Sequence, residues 1–239
     1  MNIMTDDVCF SLVPYRKVDC QKDSSAQAGI ESDLHLHSTF SDGHNIPQDI
    51  VERAITLGYK AIGITEHVRR TTDWLDAFAE EMERLKQVYV NRIRLYSGIE
   101  AKVINLKGDV DACPEFFTKV DLVLGAFHRI PKGQDEYLGP DEISRDKDKA
   151  LEYWFNGMTK LLENDNVHVI AHPTSILKTH GISVPYELKN VIAQRAAAYH
   201  KVFEVNPKYQ VPDEEFLHLL ELNKVRFSFG SDSHRVEEM

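Results

Sequence analysis

Two histidines at a spacing of two carry the first chemical signal in this chain. In the segment DLHLH, His35 and His37 leave the same face of an extended strand, because side chains at i and i+2 share a side. Later β-rich runs end in ITEH with His67, GIE with Glu100, GAFH with His128, IAHP with His172, and FGSDSH with Asp232 and His234. Imidazole nitrogens mixed with carboxylate oxygens suit zinc, manganese or iron, and no thiolate is placed to make a purely structural site. A single histidine at a strand end is more often a hydrogen-bonded structural residue, since imidazole serves both roles. Repetition at successive strand ends favours the metal reading, because of the eleven histidines only His44, His168, His180, His200 and His218 lie elsewhere. Six histidines and two carboxylates exceed what one ion takes. Two or three divalent ions about 3.5–4 Å apart, bridged by a carboxylate, use them economically. Glu100 is the best bridge, as the carboxylate at the end of a central strand.

These residues converge only if the strands run parallel. Seven strand candidates are read, at 33–37, 61–65, 93–100, 121–127, 167–171, 202–205 and 226–230. Helices are expected at 73–90, 148–163, 186–199 and 213–222, and the clearest is IPQDIVERAITLG. There Ile46, Ile50, Val51, Ala54 and Leu57 keep one apolar face, Asn45 is placed to cap with Gln48 three residues on, and Gly58 stops the helix. Strand, helix, strand repetition with right-handed crossovers gives a parallel sheet, and this many units in about 200 residues favours a small β/α barrel. In such a barrel all C-terminal strand ends meet on one rim. Residues 1–30 have weak periodicity and end in a polar run, so they read as an N-terminal extension before a barrel domain at 31–239. The last strand lacks a following helix. Val8, Phe10, Leu12, Val13 and Tyr15 of the extension are expected to cover it, or a homo-oligomer would.

Composition narrows the partners. Lys+Arg 28 against Asp+Glu 38 gives a formal charge of −10, which offers no general attraction for long nucleic acid or anionic lipid. No apolar run approaches the roughly 18–20 residues that span a bilayer, and the N-terminus is a poor secretory signal, so cytoplasmic residence is expected. Cys9, Cys20 and Cys113 are odd in number and widely spaced, as ordinary thiols in a reducing compartment would be.

The segments DLHLHSTFSDG, ITEH, GIE, GAFH, IAHP and GSDSH, in this order, resemble the signature of the polymerase and histidinol phosphatase (PHP) family over residues 32–234. The resemblance implies a distorted seven-stranded TIM-like (β/α)7 barrel, a trinuclear metal centre and phosphoester hydrolysis. It puts His35, His37, Glu100 and Asp232 on one metal, with Glu100 bridging to a second held by His128 and His172. A third metal takes Asp42, His67 and His234, with His44 as the alternative to Asp42. ITEH carries Glu66 where aspartate is commoner, a change expected to matter little. Asp33, facing the same way as His35, is expected to accept an imidazole N–H from outside the ligand shell.

The expected reaction is attack by a metal-activated hydroxide on a small phosphorylated substrate, most simply a phosphomonoester as in a histidinol phosphatase. Asp232 could orient the water, and His234, His44 or a water could protonate the leaving group. Arg129, beside His128, is the first choice to bind phosphate, ahead of Arg69, Arg70, Lys208 and Arg235, each of which can equally be a solvated rim charge. The loop Pro131–Asp148 is expected to line the mouth. Two alternatives stand beside this reading: a binuclear amidohydrolase, disfavoured because no lysine is seen to end a strand in a suitable place, and a metal-holding accessory module without turnover.

Overall fold

The computed structural model describes residues 31–239. Seven parallel strands form one sheet in the order β1-β2-β3-β4-β7-β8-β9. They are β1 (Ser32–Leu36), β2 (Ala61–Val68), β3 (Arg94–Lys102), β4 (Leu122–Ala126), β7 (Val169–Ala171), β8 (Val202–Val205) and β9 (Arg226–Phe229). The sheet curls until its edges meet: the His37 N–H donates to the Ser233 carbonyl at 3.0 Å, and the Asp232 N–H donates to the His35 carbonyl at 3.0 Å. The closing segment lies just beyond β9 instead of within it. This irregular seam makes the (β/α)7 barrel a distorted one.

Helices α1 (Pro47–Leu57), α2 (Leu75–Val88), α4 (Lys147–Leu161), α6 (Tyr186–Ala198) and α7 (Glu214–Leu222) cover the outside, each within two residues of its expected limits. The β3–β4 connection has only a short 3-10 helix, Pro114–Thr118. The loop after β4 holds an antiparallel pair, β5 (Pro131–Gly133) and β6 (Glu136–Tyr137), and helix α3 (Pro140–Arg145). A further short helix, α5 (Ser175–Thr179), follows β7.

One expected cap is absent. Ile46 is the N-cap of α1 and makes no side-chain cap hydrogen bond, while Asn45 Oδ1 accepts the Val236 N–H at 3.1 Å. Proline at the first helical position lacks one of the donors a cap would satisfy, which lowers the need for one. Gly58 does end the helix, with φ 84° in the left-handed region. The C-terminal segment folds back over α1, where the Arg53 Nε–H donates to the Val236 carbonyl at 3.2 Å and Val236 packs on the core. The extension at 1–30, Cys9, Cys20 and the proposed cover by Val8 to Tyr15 lie outside the described residues.

The core between helices and sheet fixes the strand ends. Trp154 of α4 is fully buried and tilted against Phe127 at 6.2 Å, next to His128. Trp154→Ala is expected to lower stability by about 3–5 kcal/mol through the cavity it leaves. Urea unfolding checks this, and a loss under about 1 kcal/mol would contradict the packing described.

Candidate metal centre

Strand register brings the polar strand ends together. On β2 and β3, His67 lies opposite Glu100, and β3 in turn sets Glu100 opposite Leu124 of β4. Each inward side chain at the C-terminal rim therefore meets its neighbour across about one strand spacing. Sequence reading ended β2 at Thr65. The strand continues through His67 to Val68, and the extra turn of pleat carries the imidazole to the rim.

Glu100 sits at the centre, buried. Its Oε1 lies 2.9 Å from His128 Nε2 and 2.9 Å from His172 Nε2, and its Oε2 lies 2.8 Å from His67 Nδ1, 3.3 Å from His35 Nε2 and 3.6 Å from His37 Nε2. Asp232 Oδ1 is 3.3 Å from His37 Nε2, 3.9 Å from His35 Nε2 and 3.6 Å from His234 Nδ1. Asp42 faces the outer side, with Oδ2 3.6 Å from His67 Nε2 and Oδ1 3.4 Å from His234 Nε2. The His37 ring is stacked against both His67 and His234 at 4.3 Å. Seven of the nine residues of the expected ligand set thus fall in three overlapping groups: His35, His37 and Glu100; His67, Glu100 and His128; and His37, Asp42, His67 and His234; the other two, His172 and Asp232, adjoin them through Glu100 and His37. His67 faces two groups at once, whereas the family resemblance gave it to one. His44 is outside these groups and receives Arg235 at 3.3 Å.

The donor set fits divalent ions. His35 Nε2, both ring nitrogens of His37 and Glu100 Oε2 are buried with no hydrogen-bond partner among the described residues, and unpaired buried polar atoms are costly unless a cation or water meets them. Charge tells the same story. Burial would raise the Glu100 carboxyl, but His128 and His35 outweigh it and hold Glu100 well below the usual carboxylate range. Burial would also raise Asp232, but the His37 imidazole 3.3 Å away and the charge of His35 hold it low. Burial pushes His37 down to about 4, leaving it neutral, the form that ligates. For His35 burial is outweighed by Glu204 and Glu100, which raise its affinity for a proton. A proton there occupies the place that a cation takes.

Glu204 was missed from the sequence. It sits on β8, the one strand to whose end no ligand was expected, and is buried. Its Oε2 accepts His35 Nδ1–H at 2.9 Å and the His172 backbone N–H at 3.0 Å, while Oε1 accepts Asn206 Nδ2–H at 2.6 Å. It fixes which nitrogen of His35 faces the cluster, the service that metal-bound histidines usually need. Its alternation with Phe203 on VFEV was the available signal. Asp33 does something else than expected: its Oδ1 accepts the backbone N–H groups of His35 at 3.2 Å and Ser231 at 3.1 Å, stitching the barrel seam. Gly230 lets Glu204 and His35 approach, because an added Cβ would lie 2.5 Å from Glu204 Oε1 and 2.7 Å from His35 Cβ. Asp232 and His172 hold positive φ values of 54° and 26°, strain of the kind that persists where surroundings fix a functional side chain.

Glu66 also matters more than expected. Buried, it accepts the backbone N–H groups of Ser38 at 2.9 Å and Ser41 at 3.1 Å and both serine hydroxyls. It pins the turn that presents Asp42.

The cations divide. Arg129 lies 5.6 Å over the Tyr137 ring and Arg70 is held by Asp111 at 3.1 Å and Asp135 at 2.7 Å. Lys208 Nζ donates to the Asp232 carbonyl at 2.9 Å and lies 3.3 Å from its carboxylate. A cleft of about 440 Å³ opens from Asp42, His67, Glu100 and His128, and Arg69 and Lys102 line it while Arg129 does not. A lysine does end a strand: β3 runs to Lys102. Its Nζ lies 4.9 Å over the Tyr137 ring and 3.8 Å from Asp111, apart from the imidazoles.

A barrel of this build carries at its mouth a cluster of imidazoles and carboxylates fit to hold divalent ions. The chain belongs to the PHP family, whose domain model matches residues 33–209. It is 26% identical over 217 residues to the DNA polymerase/3'-5' exonuclease PolX of Bacillus subtilis, an alignment covering 87% of this chain and 35% of that protein. This chain therefore spans about a third of that relative's length. A candidate histidinol phosphatase, HisK of Listeria monocytogenes, superposes with a TM-score of 0.69 at 17% identity, covering 87% of this chain and 97% of that one. Histidinol phosphate phosphatase of Lactococcus lactis, solved with zinc, L-histidinol and phosphate, gives 0.62 at 20% identity, covering 86% and 87%. These likenesses report the fold. No helix among the described residues is long and apolar enough to cross a membrane.

Glu204→Gln keeps the side-chain volume and removes the charge behind His35. It is expected to weaken metal binding about 10–100-fold, as loss of such partners does elsewhere. Competition titration with a chelator measures it, and unchanged affinity in a folded variant would remove Glu204 from this role.

Proposed function

We propose that this chain is a phosphomonoesterase of the histidinol-phosphatase kind working with up to three divalent ions, of zinc, manganese or iron. The observation that carries the reading is the single buried carboxylate of Glu100 with imidazoles of five histidines within 3.6 Å. That density of ring nitrogen around one buried carboxylate suits clustered ions. One ion would take His35, His37, Glu100 and Asp232, a second Glu100, His128 and His172, and a third Asp42, His67 and His234. Bound ions of this kind supply Lewis acidity and water ionised near neutral pH.

The chain's own residues do the rest. Glu204 sets the His35 tautomer, and Ser175 Oγ, 3.0 Å from His172 Nδ1, holds the His172 ring in place. Asp232 is positioned to orient a water, and Lys208 Nζ lies 3.3 Å from its carboxylate. With His234 serving the third ion, the proton returned to the departing alkoxide would come from His44 or a water. Arg69, with no hydrogen bond or ion pair to its guanidinium among the described residues, replaces Arg129 as the first choice for binding phosphoryl oxygens, because it lines the cleft. The small substrate reading fits a cleft of about 440 Å³, within the range of sites for single small ligands.

Zinc- or manganese-loaded protein is expected to hydrolyse phosphomonoesters in preference to diesters and amides. Glu100→Gln is expected to lower kcat/KM by at least about 100-fold, since even an outer partner of a ligand costs about 10–100-fold. Turnover of amides with none of phosphomonoesters would favour the amidohydrolase alternative, and no turnover of either by fully loaded protein would favour the accessory-module one.

A further inference from the structure

The gathered ligands are not all held alike. His35 and Glu100 stand on paired strands and His37 directly follows one, and their side chains are at most 1% exposed. At the outer side Asp42 is 57% exposed, His67 32% and His234 24%. Of these three only His67 stands on a strand, while Asp42 and His234 come from separate loops beyond β1 and β9. Loop residues bind an ion only as well as the loops are held, because ordering them on binding costs free energy.

Glu66 holds the first loop from inside, through Ser38 and Ser41. A second set of contacts joins the two loops from outside. The His44 N–H donates to the His234 carbonyl at 2.8 Å, Asn45 Oδ1 accepts the Val236 N–H at 3.1 Å, and the Arg53 Nε–H of α1 donates to the Val236 carbonyl at 3.2 Å. Val236, two residues from His234, is thus gripped through both polar groups of its backbone. Asn45 is also tied into the Asp42 turn, since its carbonyl accepts the Thr39 N–H at 3.0 Å. The C-terminal segment keeps its own shape: Glu238 Oε2 accepts the His234 N–H at 3.0 Å, and Val236 and Met239 pack on the core. Asp232 does not depend on this grip, because its N–H is bonded to the His35 carbonyl across the barrel seam.

We infer that Asn45 and Arg53 are positioning residues for the outer ion, and that this ion is the most weakly held of the three. Through Val236 they keep His234 beside Asp42, 3.4 Å away. The inference rests on the three-ion reading above and adds which ion the C-terminal segment governs. The inner ligands are set by strand pairing and the seam, so loosening Val236 leaves them in place.

The test is stepwise release of zinc from the loaded full chain into a competing chelator, with plasma mass spectrometry of what remains bound. The native chain is expected to give up one ion ahead of the other two, and His234→Ala to lack that first step. Asn45→Ala removes the acceptor for the Val236 N–H and is expected to weaken the outer ion about 10-fold, the low end of what lost outer partners cost, with the other two ions unchanged. Asn45→Asp keeps an oxygen at that place and is expected to restore native release. Arg53→Met removes the other bond to Val236 and is expected to act in the same direction as Asn45→Ala, which gives a second reading should either variant fail to fold. A merely structural anchor would lower the unfolding midpoint while leaving release unchanged, or would loosen all three ions alike, and either result overturns the inference. Three ions in the native chain with unchanged release from Asn45→Ala sink the inference alone, whereas only two ions in the native chain take down the three-ion reading with it.

Discussion

Everything at the mouth of this barrel is arranged around one buried negative charge. Glu100 is removed from water at the end of a central strand, and a carboxylate in that position is stable only among positive or strongly polar neighbours. Imidazoles from β1, β2, the end of β4 and the end of β7 supply them. Their own protonation is then contested: burial disfavours charge on each ring, the carboxylates favour it, and the balance differs from ring to ring, with His37 pushed down and His35, His67 and His172 pushed up. Divalent ions resolve this contest, because they bring the positive charge without requiring any ring to hold a proton. Metal affinity at such a site must weaken as acid restores the protons.

The surrounding structure serves that arrangement. The barrel closes through residues just past β9, and the same turn places Asp232, at positive φ, against His35 and His37. Asp33 bonds both sides of the seam through backbone N–H groups, and burial pushes its carboxyl up to about 6 despite those bonds. Glu204 and Glu66 form an outer layer of buried acids, one orienting His35 and the other the turn with Asp42. Fold closure and site assembly are therefore one event: a strand register that misplaced β1 by one residue would turn His35 and His37 away from the centre.

Much of this was legible in the sequence because strand geometry is simple. The i, i+2 pair at His35 and His37 and a polar ligand at the end of each apolar run need only a period of two and a parallel sheet to converge. The expected strands all exist, and the β8 limits, Val202–Val205, match the reading. What was not legible depended on contacts between distant segments. Asn45 has the chemistry of a cap yet holds Val236, a contact across 191 residues. Glu204 looked like an ordinary strand glutamate because nothing local marks its bond to His35, 169 residues away. The end of β2 was set early at Thr65 because the apolar run stops there, whereas the ladder to β3 continues through His67 and Val68. Arg129 was favoured for its neighbour His128, but both lie in the bend beyond the end of β4, and its guanidinium lies over Tyr137. Arg69, just past the end of β2, lines the cleft instead.

The central claim is that the gathered histidines and carboxylates hold a cluster of ions instead of one another. Plasma mass spectrometry on the purified full chain, reloaded with zinc or manganese and dialysed against metal-free buffer, tests it directly. The account predicts two to three ions per chain, the number that a bridging carboxylate and this many ligands require. Less than one ion per chain would mean that the imidazoles around Glu100 are a hydrogen-bonded network only, and the mechanism built on them would fall.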